Sequence, residues 1–258
     1  MILRNREGVA ALDIRSDWHA NRVPGLSALI RLRDEATWCE KAIESFLPWV
    51  DEAVIVVQPS QDETRQIVER YRSETVRIFE YPFQTHPSGP GHDSMPPDSV
   101  HASAYHYNFT LARSTRTHAV KLDGDMVMMD WAGAAIRARM AAGHDRIKFE
   151  GVDIVGDDLT HIGCHPRCPT DGVFRVTPNV EYRQGPLSQK LHCGQPVTHT
   201  VGRPAFLHFK WARKGEASQT KRWPADWREQ PHFTRIWARR EPVMRYRGEY
   251  PESIKEML

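Results

Sequence analysis

Leu26-Ser-Ala-Leu-Ile-Arg-Leu-Arg33 is an apolar run that passes late into alternation, and Glu52-Ala-Val-Ile-Val-Val57 is a second, unbroken one. Short continuous runs of this kind suit strands buried on both faces of a parallel sheet. Between them Trp38, Ala42, Phe46, Leu47 and Val50 recur at helical spacing, which predicts a helix over 36–50 with Asp34 and Thr37 placed to cap it. Gln58-Pro-Ser-Gln-Asp62 reads as a turn, 63–73 as a charged amphipathic helix and Val76–Tyr81 as a third strand. Strand, helix, strand, helix, strand at this spacing calls for parallel pairing through right-handed crossovers. Ligands of such sheets bind outside the carboxyl ends of the strands. Arg31, Arg33, Asp34 and Glu35 after the first strand, and Gln58, Ser60 and Asp62 after the second, are therefore expected to face one crevice.

Before this unit, residues 1–25 lack periodicity and read as an entry arm. After it, 84–98 form a loop dense in Pro and Gly, of the length often found beside functional crevices. A helical pattern over 99–114 leads to a fourth strand, His118-Ala-Val-Lys-Leu-Asp123, and another helical pattern to 131–142. Residues 147–155 read as one further strand, and Gly172–Val176 and Ala205–Trp211 as two more, set in irregular chain rich in His, Pro and Gly. The organisation expected is a single domain over 1–258, with the crevice-bearing half at 26–130 and a second half at 131–258 that includes the basic, tryptophan-rich tail.

Bulk properties exclude little. With 258 residues, 40% hydrophobic and 26% charged, the chain can bury a sizeable core and is not disordered throughout. Its net charge of +2 specifies no polyanionic partner, although Lys210 to Arg247 holds eleven Lys/Arg against four Asp/Glu. No run approaches the roughly 20 apolar residues of a membrane span. The charged start lacks the apolar core of a signal peptide, and four scattered cysteines suit a reducing compartment. A cytoplasmic protein follows, with room for peripheral contact at the inner face of a membrane.

Asp123-Gly124-Asp125 stands where a buried strand leaves the sheet at its crevice end. Two carboxylates one residue apart can both reach a hard divalent cation, and glycine keeps the backbone close. Mn²⁺ or Mg²⁺ takes oxygen ligands and is commonly shared with substrate phosphates, whose departing charge it neutralises. A tight turn with solvated carboxylates is the plainer alternative.

With these segments in hand, the chain resembles the family-2-like glycosyltransferases of GT-A fold. Ala28–Val57 is similar to the family's opening strand, Arg/Asn-Glu, helix, Val-Asp-Glu, strand unit. Ser60, Asp62 and Thr64 match its Asp-x-Gly-Ser-x-Asp-x-Thr turn, and His106–Met126 looks like its helix bearing Asn that leads to the D-x-D strand. The resemblance implies a mostly parallel α/β sheet flanked by helices, with an irregular C-terminal acceptor-side region. It implies a nucleoside-diphosphate sugar donor held by Arg31, Arg33, Glu35, Gln58, Asp62, Lys121, Asp123 and Lys210, and a metal held by Asp123, Asp125 and His208. A glycan or lipid-linked acceptor, in cell-surface polysaccharide synthesis, goes with it. Asp34 stands where the family has Asn and Gln58 where it has Asp, so the pattern does not specify the base.

The general base is less marked. Where relatives carry a His-Glu pair, this chain has Gly185-Pro-Leu-Ser-Gln189. Asp171 is the leading carboxylate for an inverting route, ahead of Glu181 and Asp153, and a retaining route stays open. His161, Cys164, His165 and Cys168 offer N and S ligands for zinc, although their spacing is irregular. Lys210 and Arg213 could pair with a diphosphate. The four tryptophans Trp211, Trp223, Trp227 and Trp237 suit a closing segment or an acceptor surface better than a nucleic-acid interface. Two rival functions remain: a nucleotide-sugar-binding protein without catalysis, and a nucleotidyltransferase, whose glycine-rich phosphate loop is missing from Leu29–Trp38.

Overall fold

A computed structural model describes residues 2–86, 92–186, 188–212 and 244–258, with 2–3, 163–166 and 211 given by their backbone alone. The entry arm is not formless: β1 (Ile2–Leu3) pairs antiparallel with β2 (Ile14–Arg15). The chain then alternates as its pattern predicts, through β3 (Val23–Leu32), α1 (Cys39–Phe46), β4 (Glu52–Val57), α2 (Thr64–Glu69), β5 (Val76–Glu80), α3 (Ser103–Arg113) and β6 (Arg116–Asp123). The helix expected over 36–50 is shorter, closing in a 3-10 turn at Leu47–Trp49 where Pro48 interrupts it. The helix expected over 63–73 ends at Glu69.

The central sheet has seven strands in the order β14-β8-β11-β6-β3-β4-β5, where β8 is Arg146–Lys148, β11 is Val173–Arg175 and β14 is His199–Thr200. β3, β4, β5 and β6 are all parallel neighbours, and β11 inserts antiparallel between β6 and β8. Every residue of β4 is buried, as its unbroken apolar run requires. This is the expected mostly parallel α/β sheet flanked by helices. One apolar cluster lies on the α1 side, around Trp38, Ile43 and Phe46. A second lies on the α3 side, around Tyr105, Phe109 and Phe174.

The sequence pattern does not show the second sheet, whose order is β16-β10-β9-β15-β7. β7 (Met126–Met128) begins directly after Asp125 and precedes α4 (Ala132–Ala141). β9 (Glu150–Val155), β10 (His161–Pro169), β15 (Phe206–Trp211) and β16 (Met244–Arg245) complete it. The single strand expected over 147–155 is in fact two, since the chain changes sheets at Phe149 between β8 and β9. A hairpin of β12 (Glu181–Arg183) and β13 (Lys190–His192) and a last helix, α5 (Glu252–Lys255), close the described chain. No helix among the described residues is long and apolar enough to cross a membrane.

Candidate functional site

The turn at Asp123-Gly124-Asp125 is the chain's passage from one sheet to the other. Asp123 ends β6 in the central sheet, and Asp125 leads straight into β7 of the second. Glycine lets the two approach closely, since a Cβ at 124 would lie 2.2 Å from Leu32 Cδ2 and force that side chain to shift. Glu35 packs against the same point, with its Cβ 3.4 Å from that position, so the turn after β3 abuts the acidic turn.

Asp123 looks back over the α3 face of the central sheet. Register pairs it with Arg31, whose Nη2 lies 3.6 Å from Asp123 Oδ1, and its other oxygen accepts a hydrogen bond from Lys121. Burial alone would raise the Asp123 carboxyl, but Lys121 and Arg31 outweigh it and hold it below its ordinary value. Lys121 moves the other way: burial opposes its charge, yet Asp123 keeps it firmly protonated. The Arg31 guanidinium lies 3.4 Å over the Tyr107 ring, and Tyr107 meets Tyr182 edge to face. Neither Nη atom of Arg31 has a hydrogen-bond acceptor among the described residues, although both are buried; the same holds for the Tyr182 hydroxyl and His106 Nε2. Buried donors left unsatisfied are costly, so a group of them beside a carboxylate points to a polar ligand. His106, its ring tilted against Tyr81 at 4.3 Å, is held neutral by burial and by the charges of Arg31 and Arg33.

Asp125 faces the second sheet. His208 Nε2 lies 3.1 Å from Asp125 Oδ1, and His208 Nδ1 lies 2.6 Å from Asp153 Oδ1 and 3.3 Å from Cys168 Sγ. Cys168, Asp153, His208 and Asp125 thus form a row across β10, β9, β15 and the start of β7. Register explains the row, since His208 pairs with Asp153 on one side and Met126 on the other. Burial disfavours the imidazolium, but Asp125 and then the other acidic partners overcome it and raise the His208 pKa well above its ordinary value. Trp38 fixes the strand from beneath: it stacks on Phe209 at 4.3 Å and donates its indole N–H to Ala212 O at 2.9 Å.

The remaining sequence candidates sit in three places. Gln58 is buried at the end of β4 and donates to Phe83 O at 2.8 Å. Asp62 is committed to backbone, accepting from Ala36 N–H at 3.0 Å and Thr64 N–H at 3.0 Å, and so ties the turn after β3 to the turn after β4. Arg33 lies 3.8 Å from Asp34, which adopts a left-handed φ of 54° at that turn. Lys210 is exposed near the end of β15. Asp171 stands two residues before Val173, the first residue of β11, which pairs with Val120 of β6. Its charge reaches Tyr182 and Lys148. Glu181 pairs with Arg183 along one side of β12, and Asp153 bonds His208. Of the zinc ligands considered, His161 bonds Asp158, and Cys168 joins His208 and Asp153; the side chains of Cys164 and His165, with Arg213, Trp223, Trp227 and Trp237, lie outside the described residues. Tyr107 and Tyr182 carry no spacing signal, since only the packing of α3 on β12 brings them to Arg31.

No protein-family model and no curated protein matches the chain. Among solved structures it is similar to S. aureus TarS 1–349 in complex with UDP-GlcNAc, at a TM-score of 0.50 and 12% identity over 76% of this chain and 60% of that one. It is also similar to TarS 1–349 alone (TM-score 0.48, 14% identity, 71% of this chain and 60% of that one). A third similarity is to Mycobacterium tuberculosis glucosyl-3-phosphoglycerate synthase in complex with Mn²⁺ and UDP-glucose (TM-score 0.36, 15% identity, 54% and 46%). The chain spans about 60% of the length of the TarS chain it matches. At this identity the likeness is one of fold, and the fold is GT-A-like.

Proposed function

We propose that the protein is a metal-dependent glycosyltransferase that moves a sugar from a nucleoside-diphosphate donor to a glycan or lipid-linked acceptor. One observation carries this reading: Asp123-Gly124-Asp125 lies at the carboxyl edge where the two sheets join, with Arg31 and Lys121 on one side and His208 on the other. The TarS complex with UDP-GlcNAc, of like fold, supports a nucleotide-sugar donor.

The residues present fit a hard divalent cation. Asp125 Oδ1 and His208 Nε2 are 3.1 Å apart, close enough for one ion to take the place of the proton between them. Asp125 and His208 would hold Mn²⁺ or Mg²⁺, with Asp123 beside them, and the ion would supply neutralisation of the departing diphosphate. The chain's own side chains do the rest. Arg31 brings two unsatisfied donors to the ribose and diphosphate side of Asp123, and Tyr107 keeps its guanidinium plane in place. Gln58, Glu35 and Arg33 border the nucleotide at the ends of β3 and β4. Asp171, in an inverting route, would accept the proton of the attacking acceptor hydroxyl. Residues 131–258 would hold the acceptor, in cell-surface polysaccharide synthesis on the cytoplasmic side.

Turnover of a panel of UDP-, GDP- and CMP-sugars with Mn²⁺ tests the proposal in the parent, Asp125→Ala and Asp171→Asn. The reading expects Mn²⁺-dependent turnover of one donor, lost in Asp125→Ala. It expects a drop of about 10²–10⁴ in kcat without a change in donor affinity for Asp171→Asn. Tight nucleotide binding with no turnover of any donor would instead identify a binding protein.

A further inference from the structure

We infer that Asp153, Cys168 and His208 form a second cation site, for a thiophilic divalent ion of the zinc class, and that filling it withdraws His208 from the donor-side metal. The site itself stands on geometry alone; the withdrawal rests on the function proposed above.

The three side chains come from adjacent strands of the second sheet, and their ligand atoms all lie within 4.8 Å of one another. Nδ1 of His208 is the common centre, 2.6 Å from Asp153 Oδ1 and 3.3 Å from Cys168 Sγ. Tetrahedral zinc at about 2.0–2.3 Å from its ligands sets those atoms roughly 3.3–3.7 Å apart. The Nδ1–Sγ separation already meets this, and the Nδ1–Oδ1 pair need open by less than about 1 Å. Asp153 and His208 are buried while Cys168 is partly exposed, so an ion has a way in from the Cys168 side and a fourth position there for water. The thiolate sets the preference. Mn²⁺ and Mg²⁺ favour oxygen, whereas zinc and cobalt accept sulfur, nitrogen and oxygen together. Binding releases the Cys168 thiol proton and the proton that His208 Nδ1 shares with Asp153.

The exclusion follows from the imidazole. A neutral ring has one lone pair and one N–H. With Mn²⁺ on Nε2, the proton sits on Nδ1 and is donated to Asp153, which thereby fixes the tautomer. With zinc on Nδ1, the N–H that remains is on Nε2 and is donated to Asp125 Oδ1, so the ring has no lone pair left for the donor-side ion. One neutral imidazole thus ligates at one site or the other.

Cobalt and zinc titrations of the full chain test both halves. Co²⁺ is expected to give a sulfur-to-cobalt charge-transfer band in the parent that is lost in Cys168→Ser and in Cys168→Ala. Melting curves that match the parent show that these variants are folded. Zn²⁺ should weaken Mn²⁺ binding, followed by the electron paramagnetic resonance of free Mn²⁺. Cys168→Ser should need more zinc for the same effect, by more than the roughly 10–100-fold that losing an outer partner costs. No band in the parent, or a band that survives both Cys168 substitutions, overturns the site even if donor turnover is intact. A Cys168-dependent band with Mn²⁺ binding indifferent to zinc overturns the shared imidazole. If Mn²⁺ never binds but the band appears, the proposed function fails and the zinc-class site stands.

Discussion

Replacing Gly124 by alanine puts the joint between the two sheets under a defined load. The new Cβ would sit 2.2 Å from Leu32 Cδ2, against an ordinary carbon–carbon contact of about 3.5–4.0 Å, so something must give by more than about 1 Å. Leu32 is 1% exposed and belongs to the core cluster under α1, so turning its side chain aside displaces packed neighbours. Overpacking of this kind costs about 1–3 kcal/mol. The turn that moves carries both carboxylates, and a displacement of about 1 Å at a reacting site can cost on the order of 100-fold in rate. Urea unfolding measures the first effect and Mn²⁺-dependent donor turnover the second. Leu32→Val, which withdraws the clashing carbon, provides the control. The double variant should be more stable than the sum of the two single losses implies, by more than about 0.5 kcal/mol. Strictly additive losses, or a Gly124→Ala protein as stable and as active as the parent, would refute the claim that backbone proximity at this turn positions Asp123 and Asp125.

Three further outcomes follow from the same geometry. Arg31→Lys keeps the charge but loses the planar fork over Tyr107, and should weaken nucleotide binding by about 1.5–3 kcal/mol in a calorimetric titration; unchanged affinity would remove Arg31 from the pocket. His208 binds its proton more tightly folded than unfolded, so in metal-free protein its stabilisation is complete below about pH 6.5 and is lost as pH rises through the raised value. Thermal melting against pH should show that loss in the parent and not in His208→Gln, and Mn²⁺, which competes with the proton, should bind more tightly as pH rises. Trp38→Phe keeps the ring on Phe209 but leaves Ala212 O without its donor, at about 1–3 kcal/mol by urea unfolding.

The first half of the fold was legible because burial on both faces writes itself into sequence. Ala53–Val57 is unbroken and apolar because neighbours cover it on both faces, and Ala42 and Phe46 of α1 share a covered face with Trp38 at its N-cap. The acidic turn was legible for a related reason: a strand that ends in Asp-Gly-Asp announces where the sheet stops. The second sheet was not. Met126–Met128 is too short for a period of two to register, and nothing at Phe149 marks the change of sheets. Within the site, Asp125, Asp153 and His208 are separated by tens of residues, and only the pairing of β15 with β7 and β9 sets them in a row. Asp62 carries a role that motif position does not announce: its carboxylate accepts from two backbone N–H groups and ties two turns together.

In the proposed function Asp125, next to His208, holds a divalent cation together with a nucleoside diphosphate. Titrating Mn²⁺ into the protein with and without UDP, with free Mn²⁺ read by electron paramagnetic resonance, tests it without any acceptor. Mn²⁺ should bind more tightly with UDP present, and at least about tenfold more weakly in Asp125→Asn. Equal Mn²⁺ affinity in parent and variant, or Mn²⁺ binding indifferent to UDP, would contradict it.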